Sequence, residues 1–220
     1  MKFFKLKKTF DWKYIIREVL LIFIGINLAI WFNNWNSSKK VNHDKTIAIS
    51  KIKGEIENNI KELNTTQNNN QFILNAFTDL HKLSDKNSSQ VIATPEQLVK
   101  LKKQYPNFFS ASDSSKVNDN LFKYNLQTYI ELEIPTLSQI AWETTRSIGI
   151  TNEFDYECLY DLESTYNLQK RVQNEVDKAA NALQKREIKS LINILEFLDQ
   201  LNEQLIKDYQ KILLEINNCL

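Results

Sequence analysis

Residues 14–32 read YIIREVLLIFIGINLAIWF, an apolar run that a compact water-soluble fold of this size has no means of leaving on its surface. At about 1.5 Å per residue of helix it reaches roughly 28 Å, close to the hydrocarbon thickness of a bilayer, and it predicts one membrane-spanning helix. Arg17 and Glu18, its charged residues, fall in the first turn, where long side chains reach the interface. Trp12 and Tyr14 flank one end and Trp31 and Trp35 the other, the placing of interfacial anchors.

Charge gives the span a direction. Residues 1–40 carry a net +6 and the remainder a net −5, with most of the basic excess before or within the start of the span. The positive-inside bias then puts the N-terminus in the cytoplasm and residues from about 36 onward outside. A cleaved signal peptide also starts basic and turns apolar. Against it, the apolar segment is long for such a core, and Trp31 to Trp35 stand where a small-residue cleavage site belongs. An uncleaved signal anchor is the reading adopted. In residues 1–13, Phe3, Leu6 and Phe10 lie along one helix face among lysines, which suits an interfacial helix on anionic lipid better than a nucleic-acid patch.

The stretch Glu18 to Asn36, EVLLIFIGINLAIWFNNWN, resembles the N-terminus of an uncharacterised single-pass membrane protein family of Bacteroidetes, a domain of unknown function. The pattern is an acidic residue, aliphatics, Ile-Gly-Ile, more aliphatics and Asn-Asn-Trp-Asn. Glu18, Ile24, Gly25, Ile26, Ala29, Asn33, Asn34, Trp35 and Asn36 fit it, while Asn27 and Trp31 depart from it. Ala141-Trp142 and Ser147-Ile148-Gly149 are similar to a second, weaker motif, an aromatic in a short helix that ends in Gly. The resemblance implies a single-pass membrane protein and brings no activity; together with the charge bias, the expected location is a bacterial inner membrane with the N-terminus cytoplasmic and the C-terminal domain periplasmic.

Within the span, Gly25 and Ala29 form a small-xxx-small pair through which two helices could approach, with Asn27 able to hydrogen-bond across. The competing reading is a lipid-facing Gly and an Asn tolerated in a helix. Glu18 beside Arg17 reads as a local ion pair that sets helix depth, with a coupling or proton-relay residue as the rival.

Three Gly and three Pro in 220 residues predict helices rather than a sandwich or barrel. The expected fold is all-α: the transmembrane helix, then an elongated antiparallel helical or coiled-coil domain with a small helical cap. The expected divisions are a basic tail (1–13), the span (14–35), a long membrane-proximal helix (36–84), the cap (85–151), and a long C-terminal helix or hairpin (152–220). Ile49, Ile52, Ile56, Ile60, Leu63, Ile73 or Leu74, Phe77 and Leu80 step by three and four, interrupted by the polar run 65–70. Residues 85–89 read as a loop. Thr94-Pro95-Glu96-Gln97 reads as a capping box with Pro at the first helical position, and the helix it opens should end before Pro106. Residues 107–119 read as a loop, Leu121 to Ile134 leans to helix, and Pro135 opens another helix stopped by Gly149. From about Asn152 a second pattern runs nearly to the end, turning polar at Gln169, Gln173 and Glu187. It either breaks near 184–187 and folds back or forms a rod.

Catalytic and metal motifs do not emerge. His43 and His81 lack ligand partners at helical spacing, and three glycines cannot build a phosphate loop. No cofactor is expected, nor an enzyme. Cys158 and Cys219 lie too far apart to bridge if the last helix is continuous, and free thiols are the reading adopted, with a link between two copies as the rival. The function expected is a membrane-anchored periplasmic scaffold or interaction protein that recognises partners along an exposed seam. Membrane lipid and a second copy or another membrane protein are its expected partners, and nucleic acid is not one. A ligand-sensing domain that signals through a separate membrane partner is the alternative, and a pocket lined by Phe108, Phe109, Tyr124, Tyr129 and Trp142 would favour it.

Overall fold

The computed structural model describes residues 12–84 and 90–219. The expected interfacial helix at the N-terminus and the loop at 85–89 lie outside the described residues. The protein is mostly helical, and its longest element is α1, Trp12–Leu83, one α-helix of 72 residues. At about 1.5 Å per residue α1 is roughly 108 Å long. Its N-terminal part is long and apolar enough to cross a membrane, and none of that window is buried within the protein. No break separates this span from the domain. Residues 33–47 form a largely exposed stalk, and from Ala48 to Leu80 one stripe of α1 is buried.

That stripe packs against α5 (Ile188–Glu215), which in turn pairs antiparallel with α4 (Tyr156–Gln184). The apolar residues of α5 at Leu191, Leu195, Leu198, Leu201, Leu205, Tyr209 and Ile212 are all buried, as a helical period of 3.6 requires of a core-facing stripe. The seam expected to be available to partners is therefore closed by the chain itself. The C-terminal pattern folds back at 185–187. Arg186 takes the left-handed conformation (φ 59°), its N–H donates to Leu183 O at 3.0 Å, and the Glu187 N–H donates to Ala182 O at 2.9 Å. This is a Schellman stop with arginine where glycine is usual. A 3-10 turn, Ile216–Cys219, follows α5 and returns the chain to the stalk end of the bundle.

The expected helical cap is corrected by a small sheet at the far end of α1. Strands β1 (Val91–Ala93), β2 (Phe109–Lys116) and β3 (Phe122–Thr128) pair antiparallel in the order β1-β3-β2. Where a helix is expected over 121–134, β3 forms on a period of two: Phe122, Tyr124 and Leu126 alternate with Lys123, Asn125 and Gln127. The loop expected at 107–119 holds β2, whose Ser-rich sequence has no apolar period and becomes a strand by pairing with β3, Phe109 opposite Thr128 and Lys116 opposite Phe122. Between β1 and β2, α2 (Pro95–Gln104) starts on the capping box, with Thr94 Oγ1 accepting from the Gln97 N–H at 3.2 Å and Gln97 Oε1 from the Thr94 N–H at 2.9 Å. The helix expected from Pro135 opens later, at Ile140, as α3 (Ile140–Ser147), and Gly149 (φ 78°) stops it. Residues 129–139 form neither helix nor strand and run as a strap from the sheet back to α3.

Candidate functional site

The strap explains Asn70, Gln169 and Gln173 among the polar residues that break the sequence seams. Asn59 accepts from the Ser138 N–H at 2.8 Å and donates to Ser138 O at 2.7 Å; Asn70 does the same to Glu133, at 3.0 and 2.8 Å. Each asparagine side chain thus acts as a one-residue strand partner for the strap backbone. The spacing fits a stretched chain. Eleven residues of helix at about 1.5 Å and five of extended chain at about 3.3 Å both cover roughly 16 Å. From α4, Gln169 donates to Ser138 O and Gln173 to Leu137 O, both at 3.1 Å. Tyr209 of α5 closes the circuit: its hydroxyl donates to Gln169 Oε1 at 2.6 Å and accepts from Asn59 Nδ2 at 3.3 Å. In the interrupted stretch of α1, Gln67 donates to Asp199 of α5 at 2.6 Å.

Glu55 ends this ladder as a buried carboxylate that, among the described residues, forms no ion pair with a basic side chain. Its oxygens accept from Ser138 Oγ at 2.7 Å, the Ala141 N–H at 2.8 Å, the Trp142 N–H at 3.3 Å and the Tyr166 hydroxyl at 2.7 Å. Gln139, the residue before α3, makes no side-chain cap, so Glu55 supplies the N-terminal anion of α3 from another helix. Burial, and then the Glu55 charge, push the Tyr166 hydroxyl well above the ordinary tyrosine range, and burial does the same to Tyr209. The Tyr166 ring stacks on Trp142 at 5.2 Å with an interplanar angle of 3°. At the tip, the Lys82 and Tyr105 hydrogen bonds hold Asp79 below its usual range, while burial and Asp79 push Tyr105 up to about 12.

The residues singled out in the span make few contacts. Among the described residues nothing beyond the local helix backbone and the chain neighbours comes within 4 Å of a methyl placed on Gly25, and Ala29 is exposed. Asn27 donates to its own helix, to Phe23 O at 2.7 Å. Among the described residues no ion pair within 4.0 Å joins Arg17 to Glu18. Adjacent helical positions point about 100° apart and do not face each other. Trp12, Tyr14, Trp31 and Trp35 are exposed; Trp31 and Trp35 stack at 6.2 Å, and Lys39 Nζ lies 4.0 Å over the Trp35 ring.

The cysteine reading is corrected outright: Cys158 and Cys219 form a disulfide, with Cα atoms 5.5 Å apart. The fold-back at 185–187 brings the start of α4 beside the end of the chain, which a continuous helix could not do. Beside the disulfide lies a groove of about 530 Å³ lined by Tyr156, Tyr160, Asp161 and Lys211, with the last two ion-paired at 2.7 Å. A more apolar groove of about 520 Å³ runs between α1 and α3, where Ile47, Ile140 and Ile148 are exposed. The five aromatics that would mark a sensor pocket are not gathered: Trp142 lies at the stalk end against Tyr166, whereas Phe109 and Tyr124 sit in the distal sheet. Among the described residues no group of three His, Cys, Asp or Glu is placed to hold a metal ion.

Compared with protein-family models, curated proteins and solved structures, the chain matches none of them. The N-terminal resemblance rests on the residues that carry it.

Proposed function

We propose that this protein is a non-catalytic, single-pass scaffold of a bacterial inner membrane, with its basic N-terminus in the cytoplasm and its helical domain in the periplasm. The observation that carries the reading is the continuity of α1 from the apolar span into the bundle core. A helix without a hinge fixes the height and rotation of the domain over the bilayer, which serves a spacer better than a domain on a loose linker. The Cys158–Cys219 bond supports the outside placement of the domain, since such bonds persist in oxidising compartments.

Membrane lipid surrounds the span. The protein partner, a second copy or another membrane protein, meets the Gly25–Ala29 face or the groove of Ile47, Ile140 and Ile148, because the helical seams are filled within the chain. Nucleic acid is not a partner of a domain with a net negative charge. A reporter enzyme fused after Leu220 that works only outside the cytoplasm should be active, and a cytoplasmic reporter at the same place silent. The reverse pattern would sink the topology. Light scattering of the full-length protein in nanodiscs should give a mass above one chain or copurify a membrane partner, and a lone monomer would argue against a scaffold.

A further inference from the structure

The far tip carries a groove of about 570 Å³ between the outer part of α1, the turn before β2 and the head of the strap. Phe72 and Tyr129 stand over it, 40% and 56% exposed. Both rings are held in place. Phe72 meets Tyr105 and Phe108 in edge-to-face contacts at 5.4 and 6.3 Å. The Tyr129 N–H donates to Phe108 O at 2.7 Å, and its hydroxyl lies 3.4 Å from Ser110 Oγ. Asn68, Asn107 and Glu131 share the lining with the two rings; all three are exposed, and among the described residues their side chains make no hydrogen bond to the protein. Asn107 is fixed in the left-handed region at φ 66°.

The lining selects a ligand class. Among the described residues no Lys, Arg or His lines the groove, and Glu131 and Glu133 make that lining negative, which opposes phosphates and carboxylates. Glu133 is already engaged by Asn69 at 2.7 Å, leaving too few free carboxylates for a cation. An aliphatic chain would strand the amides without partners. A pyranose satisfies both halves, since it offers a face of C–H bonds to an aromatic ring and a rim of hydroxyls that donate and accept. Phe72 stands 37 residues beyond Trp35 on the same helix, about 55 Å along its axis, so the groove is clear of lipid headgroups.

We infer that this tip groove binds an uncharged pyranose oligosaccharide, with Phe72 and Tyr129 stacking on sugar faces and Asn68, Asn107 and Glu131 taking hydroxyls. This goes beyond the scaffold reading and uses the tip geometry alone, so topology and sugar binding stand or fall separately. The test is saturation-transfer NMR on the full-length protein in nanodiscs with cellotetraose and tetra-N-acetylchitotetraose. Transfer to the ring protons of at least one sugar is expected, and Tyr129→Ala should weaken it about three- to tenfold. Asn107→Gly keeps the left-handed backbone and removes the amide, and it should also weaken binding while the melting temperature does not fall. No transfer from either sugar at millimolar concentration, or transfer unchanged in both variants, overturns the inference.

Discussion

Asn59 and Asn70 hold the strap with one side-chain amide each, and the cost of losing either follows from what is left behind. Asn59→Ala strands the Ser138 N–H in a partly buried site, which predicts a loss of about 1–3 kcal/mol in urea unfolding. The same variant should speed amide exchange at Ser138 while leaving the β2–β3 pairing protected; unchanged exchange there would refute the strap assignment. Tyr166 and Tyr209 carry a pH prediction. Burial raises both hydroxyls in the folded protein above the unfolded value near 10, so their contribution is fully present below pH 10 and is lost as pH rises further. Stability should then fall by up to about 1.4 kcal/mol per pH unit for each, and their tyrosinate absorbance should appear together with loss of the helical signal. At this scale the sequence was only half legible. Gln169, Gln173 and the run 65–70 showed as interruptions of a seam, but a strap arriving from 31 to 63 positions away leaves no mark on local periodicity.

At the scale of elements, the stops depend on backbone conformation. Gly149 announced the end of α3 because glycine is the usual left-handed stop, whereas the same conformation at Arg186 is occupied by a residue that gives no such signal. Arg186→Gly should relieve the left-handed strain and raise stability by about 0.5–1 kcal/mol, read as a higher melting temperature. A lower one would mean that the arginine side chain contributes more than its backbone costs. The sheet illustrates the opposite limit. β3 carried its alternation openly at 122–127 and was still outweighed by aromatic residues compatible with a helix, while β2 has no intrinsic strand pattern and depends wholly on its neighbour.

For the whole molecule, the disulfide ties the two ends of the α4–α5 hairpin across a sequence separation of 61 residues. Closing a loop of that size removes unfolded-state entropy equivalent to about 4 kcal/mol, so Cys219→Ser, or reduction, should lower the unfolding free energy by up to that amount. The span and stalk should keep their helicity, because the bond touches only the bundle base. If reduction leaves the transition unmoved, the bond does not constrain the unfolded chain as the fold implies. The strap lets α1 and α4 run in the same direction, since it returns the chain from the far sheet to the stalk end before α4 begins.

The sequence by itself determined the features written in local terms: an apolar run long enough for a bilayer, helical stripes at three- and four-residue steps, the Thr94 capping box and the Gly149 stop. These are set by side-chain period and backbone preference within a few residues. Tertiary structure alone decided that the seams close on each other, that 129–139 is stretched along a ladder of amides, that Glu55 caps a helix far along the chain, and that Cys158 meets Cys219. Each of these joins residues dozens of positions apart, and their partners are chosen by which polar groups would otherwise be buried without a hydrogen bond.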